Sequence, residues 1–113
     1  MSKTLEISDE TYEKIKDQLL GDEAKEVNTY EDLVGQKLFI RTVTYFLTGE
    51  VKKVVGRFLY LKTAAVIFDT GRFMDAIKNG TLSEVEPVGE AFVNLDSVTD
   101  FFPWKHKLPT EQK

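Results

Sequence analysis

Few side chains in this sequence could do chemistry. His106 is the one histidine and there is no cysteine, which removes thiolate nucleophiles, disulfides and Cys-ligated zinc. A Ser-His-acid triad would have only His106 as its base, and the sequence holds no Gly-x-Ser-x-Gly elbow. His106 also lacks a spaced pair of carboxylates, and Glu84 with Glu86 alone makes a poor site for a hard cation. No Walker loop or dinucleotide glycine fingerprint occurs. The expectation is a chain with no catalytic residue, no metal and no cofactor.

One triplet, Asp69-Thr70-Gly71, carries a specific chemistry. If Asp69 met a second copy of itself, the pair would share one proton, because two carboxylates that close cannot both ionise. The triplet follows an apolar run and resembles the active-site motif of aspartic proteases, whose retroviral-type members dimerise at about this chain length. Arg72, however, stands where that family carries a small residue. Val54-Val55-Gly56-Arg57, which resembles the family's second element, precedes the Asp instead of following it. The preferred reading gives Asp69 and Thr70 to capping the next helix, with a dimeric protease as a lesser alternative.

Four residues are candidates for binding: Arg41, Asp69, Arg72 and Trp104. Arg72, beside Gly71 at a helix start, could hold an anion or could pair with Asp69, Asp75 or Glu84. Arg41 sits among apolar residues of a strand, where a guanidinium needs either a salt-bridge partner or a ligand. Trp104, next to Pro103, reads as a lid over one end of a barrel before it reads as a platform for stacked bases.

The elements that must position these residues follow from periodicity. Residues 9–20 predict a helix: Ser8 is an N-cap, Tyr12, Ile15, Leu19 and Leu20 share a face, and Gly21 ends it. Asn28-Thr29-Tyr30-Glu31 has the form of a capping box, which predicts a helical turn through Val34. From Lys37 the period changes to two. Strands are predicted over residues 37–46, 50–55, 57–62, 64–68, 91–95 and 98–102, with Thr48-Gly49 a turn or bulge and Asp96-Ser97 a hinge. In the first of these, Leu38 and Ile40 face one way and Phe39 the other, so this strand must be covered on both sides or lie in an oligomer interface. A short helix follows Gly71, with Phe73, Ala76 and Ile77 as its apolar face and Asn79-Gly80 as its stop. Residues 81–89 read as irregular and residues 103–113 as a polar tail.

At 113 residues this is the size of one domain. Its parts are an N-terminal helix (9–20), barrel strands (37–68 and 90–102), a helical insertion (69–89) and a tail (103–113). The fold class is α+β: a helix, then a small, strongly bent antiparallel barrel of five or six strands interrupted by the helical insertion. Residues 1–32 hold ten acids and four bases, against nine and eleven in residues 33–113. An acidic arm before a nearly neutral body disfavours broad nucleic-acid binding, which needs a basic stripe. The longest apolar run, residues 64–68, is too short to cross a bilayer, and residues 1–16 lack the apolar core of a signal peptide. A cytoplasmic location is expected.

Two resemblances remain. Residues 39–51 with Gly49, then Arg57-Phe58-Leu59-Tyr60-Leu61-Lys62-Thr63-Ala64, and the closing Phe92-Val93-Asn94-Leu95-Asp96-Ser97-Val98, resemble the Sm-like small barrel. The likeness covers about residues 9–68 and 90–102, with residues 69–89 as an insertion. The family's RNA-contact residues are not matched: Phe58 stands near its uridine-reading Asn, and Leu95-Asp96 replaces its Arg-Gly. What the resemblance implies is a barrel and closure into a ring through edge-strand pairing. Arg41-Thr42-Val43-Thr44, Asp69-Thr70-Gly71-Arg72-Phe73, Glu84-Val85-Glu86-Pro87 and Trp104-Lys105-His106-Lys107-Leu108-Pro109 resemble uncharacterised small proteins of tailed phages and prophages. Together these imply a homo-oligomer in a host cytoplasm, with a partner protein or a small anionic ligand. RNA or single-stranded DNA, held by Arg41, Arg57, Lys52, Lys53 and exposed aromatics, is the alternative.

Overall fold

The computed structural model describes residues 27–113. The helix expected over 9–20 lies outside them. The described chain begins with a 3₁₀ turn (Tyr30–Leu33), in which the Asp32 carboxylate accepts the backbone N–H groups of Asn28 and Thr29. The acid that reaches back is thus Asp32 and not Glu31, because Thr29 rather than Asn28 occupies the N-cap.

Five strands follow: β1 (Lys37–Thr42), β2 (Phe46–Val55), β3 (Phe58–Asp69), β4 (Glu84–Asn94) and β5 (Val98–Pro103). One helix, α1 (Phe73–Asn79), lies between β3 and β4, and a second 3₁₀ turn (Leu95–Ser97) joins β4 to β5. The strands form a single, strongly bent antiparallel sheet in the order β4-β3-β2-β1-β5. It is open: β4 and β5 are its edges and do not pair with each other.

The bend is built into β2 and β3. Their pairing slips between Thr48 and Glu50 and again between Val51 and Lys53, and each such bulge adds local twist. Gly49 lies at the first slip, where a Cβ would come within 3.1 Å of the Leu61 side chain. The two strands expected over 57–62 and 64–68 are one strand, β3, which passes through Thr63 at φ 52°. The sheet therefore has five strands rather than six.

The expected single strand over 37–46 is broken. The Thr42 hydroxyl accepts the N–H groups of Thr44 and Tyr45, and the Thr42 N–H donates to the Tyr45 carbonyl. This closes a tight turn centred on Val43-Thr44, five residues earlier than Thr48-Gly49. The irregular stretch expected over 81–89 is strand from Glu84 onward.

Two apolar clusters explain why β1 is apolar on both faces. Leu38 and Ile40 enter the concave core with Leu33, Leu47, Val51, Leu59, Leu61 and Leu95. Phe39 points to the opposite face, into a second cluster closed by α1 and residues 104–108. There its ring meets those of Phe46, Phe73 and Trp104 at 5.6–5.8 Å. The chain's own insertion and tail cover the face that could equally have been an oligomer interface.

Candidate functional site

Arg41 is placed by the β1–β5 pairing, which sets it opposite Asp100. Its Nε donates to Asp100 Oδ1 at 2.7 Å and its Nη2 to Oδ2 at 2.6 Å, the two-point geometry that suits a guanidinium to a carboxylate. The rings of Phe73, Phe102 and Phe46 surround the guanidinium at 4.8, 5.2 and 6.0 Å, a cation–π arrangement. Hydrogen bonding to Arg41 holds the Asp100 carboxyl below its ordinary range and raises the guanidinium in return. Arg41 therefore commits its Nε and one Nη2 donor to Asp100, as the salt-bridge reading expects.

Asp69 ends β3. Its carboxylate accepts the Gly71 N–H at 2.8 Å and its carbonyl accepts the Ser83 N–H at 2.9 Å, which fixes both ends of the insertion. The N-cap position of α1 belongs to Arg72, whose carbonyl accepts the Ala76 N–H. The Arg72 side chain is exposed and forms no ion pair among the described residues. Trp104 is 2% exposed, and its Nε1 donates to the Lys107 carbonyl at 3.2 Å. A ring so enclosed offers no face for a stacked base. The four candidates thus do not converge on one pocket.

The expected polar tail, residues 103–113, is a strap. Trp104 and Leu108 anchor it in the second cluster. The Lys37 ammonium donates to the His106 carbonyl, and His106 Nε2 lies 2.7 Å from the Ile77 carbonyl. The strap then reaches the outer edge of β4. There the Val85 N–H donates to the Lys113 carbonyl and the Lys113 N–H donates to the Val85 carbonyl, at 3.1 and 3.0 Å. The sequence signal for this is Trp104 and Leu108 bracketing Lys105-His106-Lys107, a pattern indistinguishable from a polar tail without knowing what lies opposite.

Two surfaces remain open. One is the pair of sheet edges: beyond Val85 the outer edge of β4 has no partner among the described residues, and neither has that of β5. Beside the β4 edge lies a hollow of about 360 Å³, walled by Tyr45, Leu47, Val66, Val88, Ala91 and Phe92 among others. Val88 is substantially exposed. The other surface is an aromatic pair outside the bend, where the Tyr60 and Phe92 rings stack at 4.6 Å and 3°. The Tyr60 hydroxyl donates to Glu90, which pushes the phenol above its ordinary value, and the Lys52 and Lys53 ammoniums lie within 6 Å of its ring. Arg57, by contrast, is paired with Asp96. The stacked pair arises because Tyr60 and Phe92 are register partners of β3 and β4, which no periodicity in one strand can reveal.

No family model matches this chain, and no curated protein matches it. Among solved structures, a heptameric archaeal Sm protein is similar over 64% of this chain and 90% of its own, at 18% identity and a TM-score of 0.44. An Sm-like protein from Archaeoglobus fulgidus is similar over 69% and 97%, at 16% identity and a TM-score of 0.46. A chain of the NatC complex bound to CoA is similar over 71% and 90%, at 17% identity and 0.49. With TM-scores below 0.5, these likenesses carry nothing further to this chain.

Proposed function

We propose that this chain is a non-catalytic, phage-type Sm-like protein that assembles with copies of itself through its two sheet edges. In this reading β4 of one copy pairs with β5 of the next, and the resulting ring holds a partner protein or a small anionic ligand in the host cytoplasm. One observation supports it above the others: an open antiparallel sheet whose two edges are different strands, each with outward backbone groups that have no partner among the described residues, on β4 beyond Val85 and on β5. Such edges template strand addition unless guarded. Because the two edges differ, the contact is heterologous, and it closes into a ring when the rotation per copy divides the circle. The anionic-ligand part narrows to Arg72, since Arg41 is committed to Asp100.

Amide exchange tests the assembly. In a ring, the outer-edge amides of residues 90–94 and 98–102 exchange slowly and together. Exchange at the rate of free edge amides, at protein concentrations well into the micromolar range, contradicts it.

A second reading has its own observation, the stacked Tyr60–Phe92 pair beside Lys52 and Lys53. Aromatic faces flanked by cations suit single-stranded RNA or DNA. Binding that weakens steeply between low and moderate salt supports it; binding indifferent to salt, or none, removes it. The protease alternative keeps only its triplet, with Asp69 holding the Gly71 turn, and absence of peptide cleavage at acid pH disposes of it.

A further inference from the structure

We propose that residues 104–113 act as an edge guard, closing the first half of the β4 edge and confining any added strand to residues 90–94. The inference rests on the assembly reading above and specifies where on β4 the second copy docks.

Three features of the same edge support it. First, Val85 exchanges both of its backbone hydrogen bonds with Lys113, so its outward donor and acceptor are already used. The Lys113 ammonium also donates to the Leu82 carbonyl at 2.9 Å, which holds the strap end in place. Second, pairing with β3 runs without a slip from Val85 through Glu86 to Pro87. Backbone groups in an antiparallel strand alternate between its two sides, so Pro87 presents the same outer edge as Val85. Proline has no N–H, and a strand laid there finds no donor. Third, Gly89 adopts φ 85°, and the β3–β4 register slips on both sides of it. Such a bulge turns the edge away from a straight incoming strand.

Beyond Gly89 the register is regular from Glu90 to Asn94, opposite Lys62 to Phe58. This five-residue run matches the six residues of β5, which itself ends at Pro103. The hollow that adjoins the same run is lined by both polar and apolar residues, Thr42, Thr44 and Asn94 beside Val88 and Ala91, and leaves room for side chains of the incoming strand. A second copy is the occupant because β5 is an edge of matching length and antiparallel habit within this same chain.

The test compares the full chain with a Pro87→Val/Lys113→Pro double variant by light scattering over a concentration series. The variant restores an outward donor at 87 and removes the strap's donor at 113, and circular dichroism checks that it is folded. The guard predicts one discrete assembled mass for the parent. For the variant it predicts a spread of larger masses that grows with concentration, because several registers become available along β4. A parent assembly with an identical variant assembly overturns the guard and leaves ring formation standing. A monomeric parent with an associating variant overturns ring formation and leaves the guard. Monomers in both overturn both. Should the double variant not fold, deletion of residues 109–113 alone decides: it removes the carbonyl that accepts the Val85 N–H, so the Val85 amide is expected to exchange about tenfold faster or more, and unchanged protection overturns the guard.

Discussion

Arg41 and Asp100 are register partners across β1 and β5, and their side chains close a two-point ion pair under the rings of Phe73 and Phe102. The pair ties the edge strand β5 to its neighbour β1 at the level where α1 covers the outer face. Replacing Arg41 by Lys keeps the charge and discards the fork and the flat stacking surface. The expected outcome is a lower thermal midpoint that added salt does not restore. An unchanged midpoint would show that the charge alone suffices.

The pH dependence has a definite sign. Asp100 and Asp96 both have their carboxyls lowered from the ordinary 3.8, first by hydrogen bonds from Arg41 and Arg57 and then by their charges. A carboxyl depressed in the folded state contributes stability that is complete above its unfolded value. That contribution is lost as pH falls through the folded value. Denaturant midpoints should therefore be flat with respect to these two groups from neutral pH to about 4 and then decline. The Asp100→Asn variant should show less of that decline, and an equal decline in both proteins would exclude the pair as its source. Asp96, on an exposed pair, adds little.

Thr48 is fully buried between its strand neighbours Phe39 and Ala65, and its hydroxyl has no hydrogen-bond partner among the described residues. Valine has nearly the same shape without the unsatisfied polar group. Thr48→Val is expected to raise stability by about 1 kcal/mol, measured by denaturant unfolding. A loss of similar size would mean that the hydroxyl is satisfied in solution.

Gly80 ends α1 at φ 78°, and a Cβ there would lie 2.7 Å from Cγ of His106. Gly80→Ala is thus expected to cost about 2 kcal/mol from backbone strain and the clash together. Part of that cost should disappear when His106 is also changed to Ala, since the two sites touch. Strict additivity in the double variant would separate the strap from α1.

How much of this was legible beforehand varied with the range of the contacts involved. α1 and its stop at Gly80 were readable, because Phe73, Ala76, Ile77 and the glycine carry local signals. The two-sided apolar pattern of β1 was readable too, but the second cover was not. It comes from Trp104 and Leu108, more than sixty residues away in sequence. The periodicity alone divides β3 in two at Thr63, whose φ of 52° its residue type does not announce. The first half of β4 is not legible, because Pro87 and Gly89 read as loop residues, whereas on an edge strand they are compatible with pairing on one side. The candidate site suffered from the same limit: Arg41 was recognised as needing a partner, but only the register supplies Asp100.

Trp104 offers a direct check on the strap. Deleting so large a buried side chain is expected to cost about 3–5 kcal/mol, and protease nicking within residues 105–113 should begin before the sheet is cut. Resistance equal to the parent's would show that the strap is held without its anchor.

Light scattering of the full chain, repeated across micromolar concentrations, tests self-assembly through the sheet edges most directly. Pairing of β4 with β5 between copies predicts one sharp mass several-fold above 12.9 kDa that does not drift with concentration. A clean monomer throughout the series would contradict it.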